Sequence, residues 1–197
     1  MILIDDAGWG SLIGGVLYGV CRVETGEFLF DEVHPRFFHE PLFSAGAYQK
    51  EAALLVGPML DELRVPSDES ICICTGSCLE GIRSMLGESD FSDWQTAKIG
   101  EPLQTKIETA FQKYLAAFGF HIDLETLTQK QGLAFHKAVA WLHGGNAYHN
   151  PKSLPEREAV CKTGWASFRV WADNPYPVAK ELAQRAKAHR NRELRPW

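Results

Sequence analysis

Asp5-Asp6-Ala7-Gly8-Trp9-Gly10-Ser11-Leu12-Ile13-Gly14-Gly15-Val16-Leu17 follows directly on the apolar run Ile2-Leu3-Ile4. A short apolar run closed by a glycine cluster reads as a β-strand, which puts the two carboxylates at the end of the first strand. Adjacent acids in that position repel one another unless a cation or hydrogen-bond donors offset their charge. Oxygen donors of this kind suit Mg²⁺ or Mn²⁺, so Asp5 and Asp6 are candidate catalytic residues and candidate metal ligands. Gly8, Gly10 and Gly14 would let the backbone turn tightly and approach a bulky ligand such as a sugar-phosphate chain. The plain structural alternative is that Asp5 and Asp6 cap a turn between two strands.

Working outward, Ile13 to Val23 is long, apolar and β-rich, and Glu24-Thr25-Gly26 turns it into a third strand, Glu27 to Val33. Three consecutive antiparallel strands result. A helix is expected from Ser44 to Leu63, with Ala52, Leu55, Met59 and Leu63 on one stripe. Ser70 to Thr75 reads as a short buried strand, followed by a helix from Ser77 to Leu86. Trp94 to Ile99 reads as a fifth strand. Leu103, Ile107, Phe111, Tyr114 and Phe118 mark the buried face of the next helix, and Gln129 to His143 forms a later one. Ser84 to Asp93 and Gly144 to Pro155 are the loop candidates. The pattern βββαβαβα defines an α/β fold with a mixed sheet, in which the first strand and Asp5 are central.

A chain of 197 residues with 45% hydrophobic content can bury a full core. It divides into a domain over 1–150 and a C-terminal helical extension over 151–197 with a basic tail. No apolar run approaches a membrane span and the N-terminus lacks a signal-peptide pattern, so the expectation is a cytoplasmic protein without a membrane partner. Five cysteines, with Cys72 and Cys74 alternating on a buried strand, fit reduced core residues better than a disulfide framework or a zinc site. Net charge is −5, but residues 178–197 carry six basic side chains against two acidic ones, a net +4 against −9 for the remainder. Lys187, Arg190 and Arg192 are therefore candidate phosphate contacts for a nucleic-acid partner; the alternative is a solvated basic helix face.

The residues Asp5, Ala7, Gly8, Gly10, Leu12, Gly14 and Val16 resemble the start of ribonuclease HII, whose first strand ends in Asp-Glu-Ala-Gly-Arg-Gly before a glycine-rich second strand. Asp6 replaces Glu with the charge kept. The resemblance is specific but short, covering the first two strands, and the remainder agrees through element order with a ribonuclease H-like fold. It implies a metal-dependent nuclease with Asp5 and Asp6 on Mg²⁺ or Mn²⁺ and with the Gly8-Trp9-Gly10 backbone against the minor groove of an RNA–DNA hybrid. Trp9 stands where that family has Arg, which exchanges a phosphate contact for an aromatic face able to stack on a base or sugar. Ile71-Cys72-Ile73-Cys74-Thr75-Gly76 lacks the carboxylate that the family carries at the end of its fourth strand, which weakens a two-metal site.

Further candidates are Glu80, near that strand end, and His136, on a helix that in this superfamily packs near the first strand and in some members carries a ligand or base. Glu80 also completes the capping box Ser77-x-x-Glu80, and a lone histidine in an apolar helix is commonly a core residue. Two other function classes remain in view. One is a ribonuclease H-like binding or adaptor module without catalysis, which Thr75 favours. The other is a cysteine enzyme built on Cys78 at a strand-to-helix turn.

Overall fold

The computed structural model describes residues 1–145 and 152–174. Its centre is a five-stranded mixed sheet of β1 (Ile2–Ala7), β2 (Val16–Arg22), β3 (Phe28–Val33), β4 (Ile71–Ile73) and β5 (Trp94–Thr96). The strand order is β3-β2-β1-β4-β5. β2 pairs antiparallel with β1 and β3, whereas β4 runs parallel to β1 and β5 parallel to β4. The central strand is β1, as expected, with Asp5 opposite Gly19 and Asp6 opposite Tyr18.

Alternation along the strands feeds two cores. Ile2, Ile4, Tyr18, Val20, Ile71 and Ile73 pack on one face, beneath α1 (Ala47–Glu62) and α2 (Glu80–Glu88). Leu3, Leu17, Cys21 and Cys72 pack on the other, beneath α3 (Leu103–Ala117) and α5 (Gln131–Leu142). Each fully buried Leu or Ile contributes about 1.5–3 kcal/mol, so both faces of the centre strand are committed to burial. All five cysteines are free thiols, four of them buried.

Element order follows the sequence, and the boundaries shift for local reasons. β2 starts at Val16 rather than Ile13, because Gly14 takes φ +77° and Ile13 pairs with Cys161 instead of the sheet. α2 runs to Glu88, past the start of the expected loop at Ser84, because Leu86 is buried beneath α1. The late helix expected over Gln129 to His143 is α5, starting two residues later at Gln131, and a separate short helix precedes it, α4 (Leu124–Gln129), capped by Asp123 accepting from Thr126 N–H at 2.7 Å. On α3 the buried stripe ends at Leu115, and Tyr114 is only half-buried because its hydroxyl turns to Gly15 N–H (2.9 Å) and the Glu32 carboxylate. Among the described residues no helix is long and apolar enough to cross a membrane. Lys187, Arg190 and Arg192 lie outside the described residues.

The segment carrying α6 (Pro155–Glu158) and α7 (Phe168–Asp173) closes over the glycine-rich loop. Gly14 N–H donates to Val160 O at 2.7 Å and Lys162 N–H to Leu12 O at 3.0 Å, while Cys161, Phe168 and Ala172 join the core under α3 and α5. Lys162 has no exposed surface. Its ammonium donates to Ser11 O and Gly14 O, both at 2.8 Å, and lies 5.3 Å from the Phe38 ring centre. Burial pulls its pKa from 10.5 down to about 7. Between these values the unfolded chain holds the proton that the native state releases, so this residue makes stability rise with pH in that window. Stability measured by urea titration from pH 7.5 to 10 should therefore climb faster for the wild type than for Lys162→Met, by up to about 1.4 kcal/mol per pH unit. Parallel curves for the two proteins would show that the ammonium stays charged in place.

Candidate functional site

Asp5 and Asp6 are half-buried at the carboxyl end of β1, where the chain has turned one way to β2 and β3 and returns on the other side through β4. In open α/β sheets this switch point, beyond the strand ends, is where ligands bind. Successive strand residues point to opposite faces, and the two carboxylates diverge accordingly. Asp5 accepts the Asp6 N–H at 2.9 Å and meets the Cys74 thiol; Asp6 accepts from the Cys78 thiol at 3.1 Å. Asp6 also accepts from the Trp9 backbone N–H, so each carboxylate has one amide and one weak thiol donor, and neither has an ion-pair partner among the described residues. Burial pushes both carboxyls above their ordinary value, Asp6 to about 6, with the neighbouring Asp5 charge adding to the effect.

A third carboxylate, Glu108, arrives from α3. It lines the same pocket as Asp6, and burial followed by the charges of Asp6 and Asp5 pushes its pKa from 4.5 to about 7. The pocket, about 210 Å³, runs from these acids and the Gly8–Leu12 loop to an apolar end formed by Phe111, Phe120, Leu127 and Phe135. Glu108 escaped notice in the sequence because it belongs to no motif. Its one signal is position: it follows Ile107 and precedes Phe111 by one turn, so it flanks the buried stripe of α3.

The other candidates are placed differently. Gly8 has φ +99° and a side chain there would strike the Phe111 ring; Gly14 is likewise filled by Tyr114. Internal packing explains these two, and only Gly10, exposed and facing open space, leaves room for close approach of a ligand. Trp9 lines the pocket, yet its ring packs on Tyr48 (5.3 Å between centres) and Phe38 (6.2 Å), so it anchors the loop. Glu80 does not cap its helix. It is exposed and paired with Arg83 at 2.6 Å, and that guanidinium also holds Cys74 O and Gly76 O. α5 lines the pocket with Gln131, Ala134, Phe135 and Ala138; His136 is not in that face and its ring lies 6.4 Å from the Phe135 ring. His143 is buried and its Nε2 lies 3.0 Å from Trp171 O. Cys78 is buried against the Asp6 carboxylate, which together with desolvation raises its pKa strongly and keeps the thiol protonated, the opposite of an activated nucleophile.

Thr75 is exposed at the end of β4, so no carboxylate enters from that strand. Among the described residues no three His, Cys, Asp or Glu side chains converge closely enough to form a ready-made metal cage. The chain matches no family model and no curated protein in sequence.

The raised carboxyls have a consequence for stability. A carboxyl whose native pKa exceeds its unfolded value binds protons on folding, so its contribution falls as pH rises from about 4.5 to about 7 for Glu108. Glu108→Gln should stabilise the protein by about 1–3 kcal/mol at pH 8, and the gain should vanish below about pH 4.5. Thermal melts of the two proteins across that range measure it; a variant no more stable at pH 8 would show that Glu108 is not held against the aspartates.

Proposed function

We propose that the chain is a ribonuclease H-like phosphodiesterase that acts on nucleic acid with Mg²⁺ or Mn²⁺ at Asp5, Asp6 and Glu108. The observation that carries this is the accumulation of three poorly compensated carboxylates at the switch point of the sheet, two of them with pKa values of about 6 and 7. A folded protein tolerates such repulsion where it is functional. The Asp-Asp-Ala-Gly-x-Gly motif and a mixed sheet with Asp5 on its central strand agree with the resemblance to ribonuclease HII.

The three side chains fit a hard divalent cation by donor chemistry, and holding one requires them to turn from their thiol contacts toward a common point. Such a cation would supply Lewis-acid chemistry at the phosphate, with Asp5, Asp6 and Glu108 as the residues that would hold it. The chain's own contributions are distinct. Glu108, carried in from α3, completes the acidic cluster beside Asp6 at the head of the pocket. Phe111, Phe120 and Phe135 exclude bulk water from the pocket, and Gly10 leaves the backbone open to a passing strand. A catalytically silent binding module is the second reading, favoured by Thr75 at the end of β4 and by the divergence of Asp5 and Asp6.

Cation binding should release protons and strengthen as pH rises from 5 to 8, because the cation displaces protons from carboxyls with raised pKa. Calorimetry with Mn²⁺ in buffers of different ionisation enthalpy measures this. Cleavage of DNA, RNA and hybrid should rise over the same range, and Asp5→Asn should lower the rate by about 100-fold or more with the fold intact. Binding of nucleic acid without Mn²⁺ uptake or cleavage would establish the binding module instead.

A further inference from the structure

On the outer side of α3, away from Glu108, a second groove of about 610 Å³ lies between that helix and the edge strand β3. Its floor is aromatic. Phe28 and Phe30 stack with ring centres 5.4 Å apart and planes 22° off parallel, and Phe30 is 48% exposed. The rim is cationic: Lys106 stands 5.6 Å over the Phe28 ring with its ammonium on Gly26 O at 2.6 Å, and Lys113, about two turns on, is exposed. Thr105 and Thr109 add hydroxyls, and among the described residues no acidic side chain lines the groove, although the chain carries −5 overall.

A flat exposed aromatic surface bordered by cations in an otherwise acidic protein matches one ligand chemistry, a planar base joined to a phosphate. We propose that this groove binds single-stranded nucleic acid, with a base on Phe30 and phosphates on Lys113 and Lys106. A protein strand adding to the β3 edge would need no cations, and a second copy of this chain docking groove to groove would bring like charge to the rim. Lys106 is already fixed by Gly26 O, so one of the two cations is in place before the ligand arrives. The inference extends the phosphodiesterase reading, since a strand held here lies across α3 from the carboxylates, but binding in the groove needs neither cation nor cleavage.

The test is fluorescence anisotropy with dye-labelled 12-nucleotide oligo(dT) and oligo(U) in EDTA, at several salt concentrations. Wild type, Phe30→Ala, Lys113→Gln and Lys50→Gln are compared after their folds are checked by circular dichroism. Phe30→Ala should weaken binding about 10-fold with an unchanged salt slope. Lys113→Gln should reduce the log–log salt slope by about 0.7, the contribution of one phosphate contact on a single strand. Lys50→Gln, which removes an exposed cation on α1 outside the groove, should bind like the wild type. Equal affinity in all four proteins, or no binding by folded wild type at low salt, overturns the groove assignment, as does a Phe30-dependent dimer in sedimentation that oligonucleotide does not dissociate. Groove binding without cleavage under Mg²⁺ or Mn²⁺ would overturn only the phosphodiesterase reading; cleavage with Phe30→Ala binding intact would overturn only the groove.

Discussion

The centre strand β1 has to be apolar on both faces and charged at its end, and much of the architecture answers that double demand. Ile2 and Ile4 on one face and Leu3 on the other draw α1 and α2 to one side and α3 and α5 to the opposite side. A strand covered on both faces cannot hydrate its end freely, so Asp5 and Asp6 emerge into a half-buried rim where charge is costly. The thiols of Cys74 and Cys78 are weak donors for that task. Stronger partners, such as the Arg83 guanidinium nearby, are engaged with backbone carbonyls and Glu80.

The glycine-rich loop beside those acids is held by means that differ from the usual turn. Its carbonyls at Ser11 and Gly14 both accept from a single ammonium, that of Lys162, and its aromatic residue packs into the cluster of Phe38 and Tyr48. Lys162 adds a positive charge to the surroundings of Asp6 without forming an ion pair with it. The loop is therefore rigid on the inside and open at Gly10, which suits a surface that meets a ligand through its backbone.

Much of the fold was legible because hydrophobic periodicity and burial are the same fact viewed twice. The stripe Leu103, Ile107, Phe111 marked α3, and apolar β-rich runs bounded by glycine-containing turns marked β1 to β3. Boundaries failed where a distant residue decided them: Ile13 leaves the sheet to meet Cys161, which no local pattern reveals. At the site, adjacency in sequence identified Asp5 and Asp6. Glu108 was hidden because it is brought in by helix packing, and Glu80 was overvalued because chain proximity to a strand end says nothing about where an exposed carboxylate pairs. The glycine motif was legible as a turn, but its cause was not, since the groups that exclude a side chain at Gly8 and Gly14 are Phe111 and Tyr114, roughly a hundred residues away in the chain.

The Lys162 clamp also sets an order of assembly. Its hydrogen bonds to Ser11 and Gly14 span separations of 151 and 148 residues, so the loop next to the first strand is finished by almost the last part of the described chain. Closing so long a loop is entropically late, and contacts of that range form slowly. During synthesis the sheet and its first helices are available well before residue 162 leaves the ribosome. The acidic rim is thus completed last, and a nascent chain carries its carboxylates on an unfinished loop until the protein around it is already built.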